Sequence, residues 1–145
     1  MLLILEGLDK CGKTTFANKF IDVAEIKHCD KNDDVTNVLL NAASTAKTGN
    51  LVILDRSFLS EMCYGPVYRG EMHVTSAKLM KITRALKQID YCILYFSRPS
   101  YDKDEFDSKD EFEKDFDKLM MVKKSYEDYI ARFKNRFNIY EIQYK

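Results

Sequence analysis

The sequence predicts an α/β protein, a three-layer sandwich with a five-stranded, mainly parallel central sheet between flanking helices. Two observations carry the prediction. Short apolar runs alternate along the chain with stripes at helical spacing, as expected where strands are covered on both faces and joined by right-handed crossovers. A glycine-rich turn also joins the first run to the first stripe, and sites in such folds gather at the carboxyl ends of the strands.

In chain order, "LLIL" (2–5) is the first strand. Phe16, Ala17, Phe20, Ile21 and Ala24 then repeat at helical spacing, followed by "IKHC" (26–29), the weakest of the five strand candidates. Asp33 and Asp34 are suited to cap a helix that buries Val35, Val38, Leu39, Ala42, Ala43 and Ala46. "LVIL" (51–54) is a continuous apolar run, Val74, Ala77, Met80, Ile82 and Leu86 form a third helical stripe, and "YCILYF" (91–96) is another strand. "SKDE" (108–111) has the form of a capping box opening a helix through Phe112, Phe116, Leu119, Tyr126, Ile130 and Phe133. The alternating "RFNIYEIQY" (136–144) closes the series. These aromatic and methionine stripes read as core packing.

A length of 145 residues suits one domain, 1–145, and no linker interrupts it. Lysine plus arginine balance aspartate plus glutamate at 23 each, so no overall field favours a nucleic-acid partner. No apolar run approaches the roughly 20 residues that cross a bilayer, and no membrane partner is expected. "MLLILE" is too short for the apolar region of a signal peptide, which predicts a cytoplasmic protein. Cys11, Cys29, Cys63 and Cys92 lack Cys-x-x-Cys spacing, so they predict buried thiols rather than zinc or disulfides. Cys11 lies within the glycine-rich turn, where an oxidant or alkylator is expected to inhibit. Residues 102–117 carry nine acids and three lysines, the pattern of a solvated loop and helix start.

"GLDKCGKTT" (7–15) fits Gly-x-x-x-x-Gly-Lys-[Ser/Thr]. Glycines let backbone amides turn inward onto phosphates, and the following helix adds its positive end. Gly7, Leu8, Asp9, Lys10, Cys11, Gly12, Lys13, Thr14 and Thr15 are thus candidates for cradling a nucleotide, with Lys13 on the β- and γ-phosphates and the Thr14 hydroxyl on magnesium. The Asp-x-x-Gly after the third strand and the Asn-Lys-x-Asp of a GTPase are missing. "LVIL" runs instead into Asp55-Arg56-Ser57. Asp55 could hold magnesium or accept a proton, and Arg56 could fork onto an acceptor phosphate.

"EGLDKCGKTT" followed by "DRS" resembles the thymidylate kinase and deoxynucleoside kinase superfamily, and "DRSFLSEMCYGPVYRG" (55–70) is similar to its short bacteriophage-encoded members. The resemblance implies a P-loop kinase fold, ATP and Mg2+ as cofactors, a small-molecule nucleotide substrate, and a homodimer built on helices beside the third strand. It also implies that Asp9 contacts the substrate sugar, Arg56 grips the acceptor phosphate and Asp55 serves the metal. Thymidylate kinases place extra cations either in the phosphate loop or in a lid after the fourth strand. The corresponding lid here, about 98–111, is acidic with Arg98 near its hinge, so Lys10 is expected to supply the missing charge, in a position where arginine is usual.

The segment 60–70 is the expected acceptor pocket, with Tyr64 and Tyr68 stacking on a base, Arg69 donating to it or to a phosphate, and Glu61 taking a sugar hydroxyl. An acceptor that already carries phosphate needs cations, whereas a sugar hydroxyl needs a base. Arg56, Arg69, Arg98 and Lys10 favour a monophosphate acceptor, with dTMP going to dTDP the first expectation. The alternatives are a deoxynucleoside kinase acting on the 5′-hydroxyl through Asp55, and a nucleotide-binding protein without transferase activity.

Overall fold

The computed structural model describes residues 1–30, 32–101 and 116–143. Its elements run β1 (Leu2–Gly7), α1 (Lys13–Asn18), β2 (Ala24–His28), α2 (Val35–Lys47), β3 (Leu51–Asp55), α3 (Phe58–Tyr68), α4 (Ser76–Leu86), β4 (Tyr91–Ser97), α5 (Phe116–Phe133) and β5 (Ile139–Gln143). The strands form one sheet in the order β2-β3-β1-β4-β5. Every pairing is parallel, including β4 with β5. The α/β architecture is therefore as the sequence predicts.

β1 lies at the centre, with Leu2, Ile4, Leu5 and Glu6 fully buried. The steps from β2 to β3, β3 to β4 and β4 to β5 advance in one direction across the sheet, so right-handed crossovers put their helices on one face. The step from β1 to β2 runs the other way and puts α1 on the opposite face, where Phe16 meets Phe96 edge-on at 5.6 Å. On the larger layer α3 packs on α5 and α2 on α4. Tyr126 of α5 is fully buried and stacks on Tyr95 of β4 at 5.5 Å.

Local chemistry sets the helix ends. The Asp34 carboxylate accepts from the N–H groups of Thr36 (3.1 Å) and Asn37 (3.3 Å), capping α2. Thr75 does the same for α4 through Lys78 N–H at 3.2 Å.

Three expectations need correction. The helical stripe from Phe16 does not continue to Ala24: α1 ends at Asn18, Ile21 is 65% exposed, and Ala24 opens β2. Pairing of Ala24–His28 with Leu51–Asp55 gains a full parallel ladder, which outweighs another turn of helix. An eleven-residue helix, α3, lies where the sequence suggested only an acceptor segment, and it holds Pro66 within its last turn. In the third stripe, Met80 is 51% exposed rather than packed in the core. The capping box at 108–111 and most of the lid region lie outside the described residues.

Candidate functional site

The carboxyl ends of β1, β2 and β3 open into a cleft of about 700 Å³. Asp9, Lys10, Gly12, Lys13, Thr14 and Thr15 line one side, and Asp55, Arg56, Ser57, Ser60, Glu61, Tyr64, Tyr68 and Arg69 line the other. His28, Cys29, Asp30, Asn32 and Val35 complete it beyond the end of β2.

The loop after β1 has the backbone that a phosphate cradle requires. Gly7 adopts φ 129°, and a Cβ there would fall 2.3 Å from the carbonyl oxygen of Phe96, so only glycine fits. Lys10 sits at φ 61° and Gly12 at φ 93°, both left-handed, which turns the loop back on itself before α1. Lys13 is 5% exposed, and its Nζ donates to the carbonyls of Gly7 (2.9 Å) and Leu8 (2.5 Å). Burial, reinforced by the Arg56 guanidinium, pushes the Lys13 ammonium down from its ordinary value. An incoming polyphosphate would relieve that unfavourable position. Leu8 is buried beneath the loop.

Cys11 also points away from the cleft. Its thiol is 1% exposed and 3.3 Å from the Tyr101 hydroxyl, and burial raises its pKa. The expected attack on Cys11 by alkylators is therefore hindered by position and by charge state.

Across the cleft, Arg56 takes the left-handed conformation at φ 72° that arginine rarely adopts. Its N–H donates to Leu5 O at 2.8 Å. Its guanidinium pairs with the Asp9 carboxylate and lies 4.9 Å from the centroid of the Tyr64 ring, a cation–π geometry. Thus the two motifs that lie 47 residues apart meet through one ion pair.

Asp55 is 8% exposed. One of its oxygens, Oδ2, accepts from His28 Nδ1 at 2.9 Å, and a carboxylate can only accept, so Nδ1 carries that proton. The other, Oδ1, is buried without a hydrogen-bond partner. An orphaned carboxylate oxygen in the cleft that also exposes Thr14 fits a hard divalent cation such as Mg2+, which prefers oxygen ligands. Among the described residues no cluster of three histidine, cysteine or acidic side chains could hold a metal, so the remaining ligands would be phosphate oxygens and water.

On α3, Glu61 forms an ion pair with Arg69 and accepts from His73 N–H at 3.3 Å. Tyr64 and Tyr68 stack at 5.9 Å with an interplanar angle of 24°. Tyr64 is nearly buried while Tyr68 is half-buried, which leaves Tyr68 the more open ring for a base. Arg98 does not line the cleft; its guanidinium lies 5.6 Å from the Tyr101 ring.

Sequence reasoning missed His28 and Glu6, and gave Ser60 no role beyond opening the acceptor segment. His28 stands opposite Asp55 in the β2–β3 register, a relation no local pattern reveals. Glu6 is fully buried, accepting from Ser57 N–H at 2.9 Å and from the hydroxyls of Ser60 at 2.5 Å and Tyr126 at 3.1 Å. Burial raises its pKa despite those donors. One signal was visible: a lone acid ending an otherwise apolar strand.

No protein-family model matches the sequence, and no curated protein matches it significantly. Its fold is that of solved P-loop kinases. The YorR protein from Bacillus subtilis, solved in complex with phosphorylated GDP, is similar over 99% of this chain and 85% of its own, with a TM-score of 0.74 and 19% identity. Deoxyadenosine kinase from M. mycoides aligns over 98% of this chain and 90% of its own, with a TM-score of 0.59 and 11% identity. Thymidylate kinase from Candida albicans aligns over 98% and 83%, with a TM-score of 0.56 and 16% identity.

Proposed function

We propose that the chain is a kinase that moves the γ-phosphoryl group of ATP onto a deoxynucleoside monophosphate, with dTMP the first acceptor to test. One observation carries the reading: the phosphate loop at the head of α1 and the guanidinium of Arg56 face one cleft, joined through Asp9. Transfer between nucleotides depends on positioning and on cations aimed at the moving group. Lys13 leaves its two loop carbonyls for phosphate oxygens, which are stronger acceptors because they are charged. Arg56 exchanges Asp9 for the acceptor phosphate and frees that carboxylate for the sugar. Lys10 adds charge from the turn of the loop. Thr14 and Asp55 would hold Mg2+, which shields the phosphate charge and orients it. Tyr68 offers its ring to the base, with Glu61 and Arg69 at its edge.

The reading extends to one kinase domain over 1–145 with a short lid at about 98–111, working in the cytoplasm as a homodimer. The names of the similar structures, deoxyadenosine kinase and thymidylate kinase, support nucleotide chemistry in general.

A second reading, transfer to the 5′-hydroxyl of a deoxynucleoside, is favoured by the unpartnered Oδ1 of Asp55. The charge balance points the same way, since four cations lining the cleft (Lys10, Lys13, Arg56, Arg69) face four carboxylates (Asp9, Asp30, Asp55, Glu61). A coupled assay with ATP, magnesium and a panel of deoxynucleosides and their monophosphates separates them. Turnover of monophosphates supports the first reading, turnover of nucleosides alone the second, and ATP binding with no transfer rejects both.

A further inference from the structure

Glu6 is a fully buried carboxyl that the transfer scheme leaves unused. It joins four elements: it lies one residue before the end of β1, accepts from the turn after β3 through Ser57 N–H, and meets Ser60 of α3 and Tyr126 of α5. Oε2 of Glu6, Oγ of Ser60 and the Tyr126 oxygen close a triangle with sides of 2.5, 2.7 and 3.1 Å. Ser60 and Tyr126 each donate to Oε2, and Oε1 holds Ser57 N–H, so both oxygens of the buried carboxyl are engaged.

That contact bears on Arg56. The N–H of Arg56 is held by Leu5 O and the N–H of Ser57 by Glu6, so two successive donors are fixed on consecutive residues of β1. A left-handed arginine is strained and persists only where its surroundings over-determine it. Gly7, the residue after Glu6, supplies a carbonyl to Lys13 on the donor side. We propose that Glu6, with Ser60 and Tyr126, is a positioning residue for phosphoryl transfer, holding the turn at Ser57 so that Arg56 faces the acceptor. The inference rests on the transfer reading above.

Steady-state kinetics of the wild type, Glu6→Gln, Glu6→Ala and Ser60→Ala test it. Glu6→Ala is expected to lower kcat on the order of tenfold to a hundredfold, as misplacement of a catalytic group does, with the KM for ATP little changed. Glu6→Gln, which keeps the side chain's size and an oxygen acceptor for Ser57 N–H, restores most of that loss. Wild-type turnover in Glu6→Ala, or a Glu6→Gln as impaired as Glu6→Ala, overturns the proposal. If Glu6→Ala does not fold, Ser60→Ala decides, a lowered kcat supporting the role and an unchanged kcat overturning it. If the wild type transfers to no acceptor, the transfer reading has failed by itself. A crystal structure of Ser60→Ala then judges Glu6: Arg56 out of its left-handed conformation supports the positioning role, and Arg56 unmoved overturns it.

Discussion

Replacing Gly7 with alanine probes the junction between sheet and phosphate loop. The added Cβ meets Phe96 O at 2.3 Å and Phe96 C at 3.2 Å, whereas ordinary contact begins at 3.4 Å. The backbones must part by about 1 Å, yet Gly7 and Phe96 are paired in the β1–β4 ladder. Alanine at φ 129° adds strain of about 1–3 kcal/mol, and forcing the strands apart adds about 1–3 kcal/mol more. With about 3 °C lost per kcal/mol for a chain of this size, the melting temperature should fall by roughly 6–18 °C. Gly49→Ala is the matched control, because φ there is 95° but nothing lies within 4 Å of the added carbon. It retains only backbone strain, about 1 kcal/mol and so roughly 3 °C. Thermal denaturation followed by circular dichroism measures both. A Gly7→Ala protein that melts no lower than Gly49→Ala would refute the close approach.

Other outcomes follow from the same geometry. If Lys10 stabilises the transferred group as proposed, Lys10→Ala should lower kcat by roughly tenfold or more with little change in either KM; an unchanged kcat discards that role. All four thiols have pKa values raised by burial, that of Cys29 to about 12. Thiol titration at about pH 8 should therefore find no fast-reacting cysteine in the native protein and four after denaturation, and a fast native thiol contradicts the burial of Cys11. Glu6 has a folded pKa above its ordinary 4.5. As pH rises past that value the unfolded chain releases the proton first, so the stability this group contributes is full below it and declines above it. Urea melts at about pH 5 and pH 8 should show wild type losing stability relative to Glu6→Gln, by at most about 1.4 kcal/mol per pH unit. A relative gain would mean that the folded pKa of Glu6 lies below its ordinary value.

The central strands were legible because β1, β3 and β4 are covered on both faces, which leaves unbroken apolar runs. β5 is an edge strand whose burial does not follow the alternation in its sequence: Ile139 and Ile142 are half-buried while Tyr140, Glu141 and Gln143 are exposed, Tyr140 by 59%. α3 was hidden by Gly65-Pro66, a pair that ordinarily marks a turn. Here Gly65 packs so closely that a Cβ would stand 2.6 Å from Glu71 O, and proline falls in the final turn where little helix remains to disrupt. The phosphate loop declared itself because its function is local, with backbone, lysine and hydroxyl in nine consecutive residues. Glu6 and His28 did not, since each gains its meaning from a partner on another strand or helix.

Transfer of labelled γ-phosphate from ATP, measured with wild type and Arg56→Ala under identical magnesium and ATP, tests the account most directly. Wild type should label dTMP or a related deoxynucleotide, and Arg56→Ala should retain ATP binding while transferring on the order of a hundredfold more slowly. Label appearing on no acceptor, or equal transfer by Arg56→Ala, would contradict it.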